Sequence, residues 1–282
     1  MELNTIGVLG AGVMGCDLTL DLALHNYKII LYDISKVQLD SARNKIEQQF
    51  RLYKMMNSVT EQTIEDIFNG INSTPELGHM KEVDFIVENI VENWDEKKKL
   101  YLQLNDIIND TTVVASNTSC IPISKIAALM KYPGNIIGTH FMNPVPFKKF
   151  VEVIKGKETS EDTLNKTLSI LKTLGKKSVV VNDAPGFVSN RVLMMTINES
   201  IRTVEEEIAK PADVDKIFKL GFSHSMGPLA TADLIGLDTI MYSLNVLYEE
   251  FKNPMYMPCK LLIKMVEAGT LGKKSGKGFF NY

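Results

Sequence analysis

From Thr5 to about Val181 the chain alternates short apolar runs with longer amphipathic stretches. Strands are predicted at Thr5–Leu9, Lys28–Tyr32, Val83–Ile90, Thr111–Ala115, Asn135–Phe141, Phe150–Ile154 and Ser178–Val181. Helices are predicted up to about His25, over residues 36 to 55, from about Thr60 to Phe68, and over 94 to 108, 123 to 131 and 160 to 174. Strands that alternate with helices in this way form a parallel sheet covered on both faces, the doubly wound α/β class.

The pattern changes at Asn182-Asp183-Ala184-Pro185-Gly186, where proline and glycine together stop a strand. Beyond it Leu193, Ile197, Ile201, Val204 and Ile208 recur at intervals of three and four, the apolar stripe of a long helix. Pro211 suits the first turn of the next helix, and further helices are expected at about 228 to 249 and 257 to 268. The expected organisation is an α/β domain over residues 1–184 and an all-helical domain over 185–282. So long a stripe also suggests burial against a second subunit.

Between the first strand and the first helix stands Gly10-Ala11-Gly12-Val13-Met14-Gly15. Gly10 allows a tight turn, Gly12 lets backbone approach a pyrophosphate, and Gly15 lets the helix lie against the strands. The helix N-terminus offers free N–H groups and a positive dipole end to phosphate. Asp33 closes the second strand about 20 residues on, where a carboxylate accepts from ribose hydroxyls and repels a 2′-phosphate. The stretch predicts a Rossmann-type site for NAD rather than NADP.

Composition narrows the field further. The 282 residues are 45% hydrophobic and 23% charged, with a net charge of −3, which argues against nucleic acid or an anionic membrane as principal partner. No apolar run approaches the length of a membrane span, and the first strand begins too early to leave room for a signal peptide. Cys16, Cys120 and Cys259 are widely spaced, so the chain reads as cytoplasmic and without a disulfide framework. His25, His79, His140 and His224 are scattered, so no metal site is expected. Lys36, Arg43, Lys45, Arg51 and Lys54 on the second helix form either a solvated face or an anion clamp for a phosphorylated substrate.

Hydride transfer from an alcohol to nicotinamide needs a base for the hydroxyl proton, and histidine titrates near neutrality. His140 stands near the carboxyl end of its strand, the side on which such sheets bind ligands. An antiparallel return after Asn143-Pro144-Val145-Pro146 brings Glu152 toward it, and a carboxylate on one ring nitrogen fixes the tautomer and stabilises the imidazolium. Glu92 and Ser116-Asn117-Thr118-Ser119 follow strands directly and fall on the same side. Ser119 is a candidate donor to the substrate oxygen, and Asn190 a candidate to reach the substrate from the second domain. These residues alone leave open a structural histidine at 140, a turn or cap at 119 and a capping role at 190.

Six segments, taken in order, closely resemble the L-3-hydroxyacyl-CoA dehydrogenase family, especially its short bacterial 3-hydroxybutyryl-CoA members. They are the glycine turn, Ser116–Ser119, His140-Phe141-Met142-Asn143-Pro144, Val151–Ile154, Pro185–Arg191 and Gly276-Lys277-Gly278-Phe279. The resemblance implies oxidation of an L-3-hydroxyacyl thioester with NAD, or the reverse, in a homodimer joined through the helical domain. It implies His140 as acid/base, Glu152 as its orienting partner, and Ser119 and Asn190 on the substrate with Asn143 supporting the site. Gly10, Gly12, Val13, Met14, Gly15, Asp33, Glu92, Lys97, Asn117 and Asn143 would line the cofactor.

The chain also departs from the family's usual residues at Asn89, Cys120, Met142, Phe147, Lys148, Met195 and Ser225. Where relatives place lysines for the CoA phosphates, Lys54-Met55-Met56-Asn57-Ser58 supplies one, with Met56 and Ser58 at the expected lysine positions. A CoA thioester is the default substrate and Lys54 a candidate contact for it. A hydroxyacyl group on an acyl carrier protein, as in polyketide extender-unit synthesis, is the alternative, and a non-catalytic NAD-binding protein a remote third.

Overall fold

The computed structural model describes residues 5–56 and 61–282. Met1–Ala184 and Pro185–Tyr282 form two compact units. The first begins β1 (Thr5–Leu9), α1 (Val13–Leu24), β2 (Lys28–Tyr32), α2 (Lys36–Met56), α3 (Ile64–Asn69), β3 (Ile71–Thr74) and β4 (Phe85–Glu88). It continues with α4 (Trp94–Leu104), β5 (Val113–Ser116), α5 (Ile123–Ala127), β6 (Ile136–Phe141), β7 (Phe150–Lys155), α6 (Glu161–Thr173) and β8 (Lys177–Asn182).

The strands form one sheet in the order β3-β2-β1-β4-β5-β6-β7-β8, parallel throughout except at β6–β7. Strand order reverses at β1, between β2 and β4, and a sheet of this class binds ligands beyond the strand ends at such a switch point. The glycine turn after β1 and the segment after β4 lie side by side there, since Leu9 pairs with Glu88. The expected Rossmann-type sheet is therefore present, with one strand more than the pattern predicted. That strand, β3, is an edge strand of sequence Ile-Asn-Ser-Thr with two residues exposed, so it carries no apolar run to announce it. The helix expected from about Thr60 begins at Ile64, behind a capping box between Thr63 and Asp66.

Residues Gly15 to Ala23 of α1 are all buried, which makes α1 a helix enclosed on every side rather than an amphipathic one. Its packing partners include Ile6, Val8, Ile29, Leu31 and Phe85 in the core of the first unit.

The second unit holds α7 (Ser189–Glu205), α8 (Pro211–Gly221), α9 (Pro228–Ile235), α10 (Leu237–Phe251) and α11 (Lys260–Glu267) around its own core, which includes Ile197, Ile201, Leu229, Leu244 and Leu262. Two expectations are corrected here. The helix expected over 228 to 249 is broken at Gly236, whose φ of 106° lies outside helical space. Ile208 does not continue the α7 stripe: the helix ends at Glu205, Glu207 turns the chain at φ 57°, and Ile208 is 69% exposed. Among the described residues no helix is long and apolar enough to cross a membrane.

Candidate active site

The glycine turn has the form that a dinucleotide requires. Gly10 adopts φ 98°, and a Cβ there would meet the Asn89 carbonyl oxygen at 2.8 Å. A Cβ on Gly15 would lie 1.8 Å from the Gly10 carbonyl oxygen, so only glycine lets α1 start this close to β1. Gly12 by contrast faces open space, with no atom within 4 Å of a Cβ position, and no side chain caps α1. Its first N–H groups are left for a ligand, and Val13 beside them is 58% exposed. Asp33 accepts the Ala11 N–H on Oδ2 and the Ser35 N–H on Oδ1, both at 2.8 Å, which fastens the carboxylate to the glycine turn. An open cradle, an uncapped helix end and a fixed acid fit the dinucleotide.

Across the switch point, acid and base form a buried network. Glu88, fully buried at the end of β4, accepts from Lys97 Nζ at 2.7 and 2.8 Å, Tyr101 Oη at 2.7 Å, Ser116 Oγ at 2.8 Å and the Ile90 N–H at 2.8 Å. Lys97 Nζ also lies 3.3 Å from Glu92, and its side chain has no exposed surface. Lys97 is thus paired with both carboxylates. Burial alone would pull its ammonium down, but the Glu88 and Glu92 carboxylates outweigh burial and hold it above its ordinary value. Burial likewise pushes Glu92 up, and Lys97 together with hydrogen bonds from Thr118, Ser119 and Cys120 holds it below the ordinary carboxylate value.

Those hydrogen bonds shape the catalytic side. Glu92 Oε1 accepts from Thr118 Oγ1, the Ser119 N–H at 2.9 Å and the Cys120 N–H at 3.1 Å, so one carboxylate folds the turn after β5. Asn117 braces the same turn from its other side. It donates to Asn89 Oδ1 at 2.6 Å and accepts the Phe141 N–H at 3.0 Å. Glu88 and Tyr101 were given no role from the sequence, and Thr118 was placed on the ligand side without its bond to Glu92. A glutamate that ends the run Phe-Ile-Val-Glu is the only sign of the first.

Ser119, His140 and Glu152 come together in a line. His140 and Glu152 are directly opposed across the antiparallel β6–β7 pair, which puts both side chains on one face of the sheet. His140 Nδ1 lies 3.3 Å from Glu152 Oε2, and His140 Nε2 lies 3.3 Å from Ser119 Oγ. Both dyad members are buried, His140 at 8% and Glu152 at 2% exposure. With Nδ1–H donated to the carboxylate, the lone pair of Nε2 faces the serine hydroxyl, the arrangement of an oriented general base.

Asn143 is exposed in the turn after β6, and Asn190 lies in the first turn of α7 in the second unit. Lys54, in the last turn of α2, donates to the Gln62 carbonyl at 3.3 Å, and Met55 and Met56 beside it are 82% and 66% exposed. Ser58 lies outside the described residues.

Known proteins match the chain over its whole length. Residues 5–184 match the family model of the 3-hydroxyacyl-CoA dehydrogenase NAD binding domain, and residues 186–282 match that of the C-terminal domain. A probable 3-hydroxybutyryl-CoA dehydrogenase of Bacillus subtilis is 42% identical over 282 residues, covering 100% of this chain and 98% of the relative. A 3-hydroxybutyryl-CoA dehydrogenase of Bradyrhizobium diazoefficiens is 37% identical over 280 residues, covering 99% and 96%. The crystal structure of (S)-3-hydroxybutyryl-CoA dehydrogenase from Ralstonia eutropha superposes with a TM-score of 0.94 at 36% identity, covering 100% of this chain and 99% of that one. Matched from end to end, the chain belongs to the 3-hydroxyacyl-CoA dehydrogenase family, NAD-dependent oxidoreductases.

Proposed function

We propose that this enzyme oxidises a short L-3-hydroxyacyl thioester of the 3-hydroxybutyryl-CoA type to the 3-ketoacyl thioester, or catalyses the reverse reduction. The observation that carries the reading is the Ser119–His140–Glu152 line. His140 Nε2 takes the proton of the C3 hydroxyl, and Glu152 on Nδ1 holds the ring and stabilises the imidazolium. Ser119 Oγ donates to the substrate oxygen that His140 addresses. NAD supplies the hydride acceptor. Asp33 and the turn from Gly10 to Gly15 hold its adenosine and pyrophosphate, while Glu92, braced by Lys97, and Asn117 fix the turn beside it. Asn143 and Asn190 are assigned to the substrate, and the homodimer is expected, on the family resemblance; the cytoplasmic location is the reading of the three widely spaced cysteines.

The decisive variant is His140→Gln. Its kcat on L-3-hydroxybutyryl-CoA, followed as NADH absorbance, is expected to fall by about 10²- to 10⁴-fold, with the NAD dissociation constant within about twofold of wild type because the glycine turn is untouched. Wild-type turnover by the variant would remove His140 as the base.

A second handle is favoured by one observation: the last turn of α2 offers Lys54 as its basic residue, followed by two exposed methionines. That leaves few charge-assisted contacts for CoA phosphates. Hydroxyacyl groups loaded on carrier protein belong in the same assay, and efficient turnover confined to them would reassign the handle.

A further inference from the structure

α1 is enclosed on every side, yet it carries two carboxylates, Asp17 and Asp21, each 1% exposed. Charges are costly in such a place unless they meet specific partners. Asp17 meets the turn that follows β6 directly, and Asp21 reaches it through Lys176. Asp17 Oδ2 accepts the Val145 N–H at 3.3 Å. Asp21 Oδ2 lies 2.7 Å from Nζ of Lys176, which stands between α6 and β8 and has a wholly buried side chain. Lys176 Nζ in turn donates to the Val145 carbonyl at 2.6 Å and the Lys148 carbonyl at 3.0 Å.

Val145 is therefore held at both its N–H and its C=O by charged side chains. Buried backbone groups in a turn have no ladder partner and need satisfaction from elsewhere. This turn joins β6, which carries His140, to β7, which carries Glu152, and it contains Asn143.

We propose that Asp17, Asp21 and Lys176 are positioning residues of the dehydrogenase, a buried clasp that fixes the Asn143–Lys148 turn against the helix that starts at the glycine turn. The proposal rests on the assignment of His140 and Asn143 above. Asp17 is the member open to titration. Burial, reinforced by the neighbouring Asp21 carboxylate and opposed by the Val145 N–H, pushes it up to about 6. The titratable groups around the pair are Cys16 and His25 on α1, Tyr53 on α2, Lys149 before β7 and Lys176. Charged Asp17 makes a charge-assisted bond to Val145, whereas the protonated form makes an ordinary one. The turn is thus held most firmly above the Asp17 transition and less firmly below it.

Asp17→Asn mimics the protonated form at every pH. The ratio of wild-type to Asp17→Asn kcat/KM for the thioester, taken from about pH 5 to 8, is expected to rise from near 1 to about threefold or more, with a midpoint near 6. The two proteins differ only at residue 17, so pH effects common to both divide out of the ratio. Lys176→Met is expected to lower kcat/KM by about tenfold or more with the NAD dissociation constant within about twofold, and Lys176→Arg to recover part of the loss. A ratio that does not change with pH overturns the role of Asp17. Wild-type kcat/KM in Lys176→Met overturns that of Lys176, and if that variant does not fold, the Asp17→Asn ratio decides alone. His140→Gln run alongside separates the two readings: lost turnover with a flat ratio sinks only the clasp, whereas full turnover sinks both, since the turn would then have no reacting group to position.

Discussion

Lys97 shows what a single side chain can hold together. It is ion-paired with two carboxylates, Glu88 and Glu92, and the second of these folds the Ser119 turn. Lys97→Met leaves both acids without their cation, and the loss of one partner from a buried pair costs about 3–5 kcal/mol. Urea denaturation should show that loss, and Glu88→Gln placed on top of it should recover part. The pH response of these groups follows from their directions. Glu92, held low, contributes stability above its unfolded value and loses it as pH falls through its lowered folded value. Lys97, held high, keeps its contribution until pH rises past its raised value. Asp17, pushed up to about 6, acts in the opposite sense to Glu92: its charge weighs against folding above that pH, and the penalty fades as pH falls toward the ordinary carboxylate range. The reading of the sequence placed Glu92 on the ligand side because it follows a strand, reached Lys97 only through resemblance, and missed Glu88, Asp17, Asp21 and Lys176. A buried carboxylate and a solvated one are the same letter, and only the packing around them tells them apart.

At the level of elements, legibility followed the strength of the local signal. β1, the glycine turn, α1 and β2 were readable because each position has one physical requirement, such as the positive φ of Gly10. The opposition of His140 to Glu152 was also readable, since a short proline-containing turn between two apolar runs returns the chain antiparallel. β3 escaped because an edge strand of Asn, Ser and Thr has no buried alternation, and the α9–α10 break escaped because an isolated glycine is tolerated within many helices. Asp33 belongs to the readable part and yields a test. Asp33→Asn removes the charge that repels a 2′-phosphate while keeping an acceptor for the Ala11 N–H. Its kcat/KM with NADP should rise about tenfold relative to that with NAD, measured with both cofactors at one thioester concentration; an unchanged preference would place cofactor selection elsewhere.

On the scale of the whole molecule, each unit is built on its own core, one around the sheet and one among α7 to α11. The helical unit leaves Ile208, Ile217, Leu220 and Phe222 between 57% and 74% exposed, more apolar surface than a solitary domain usually shows in one stretch. Light scattering is expected to give twice the 31.6 kDa chain mass, and Leu220→Lys to shift the population toward the monomer; a wild-type protein that stays monomeric at assay concentration would end the dimer expectation.

The hairpin of β6 and β7 divides responsibilities within the catalytic unit. His140 and Glu152, the proposed base and its carboxylate, are matched by strand register, while the eight residues between Phe141 and Phe150, among them Met142, Phe147 and Lys148, belong to a turn. A shift of one residue in register would send the two side chains to opposite faces, whereas a change of side chain within the turn leaves the register alone. Side chains in the turn can therefore vary while His140 and Glu152 stay paired.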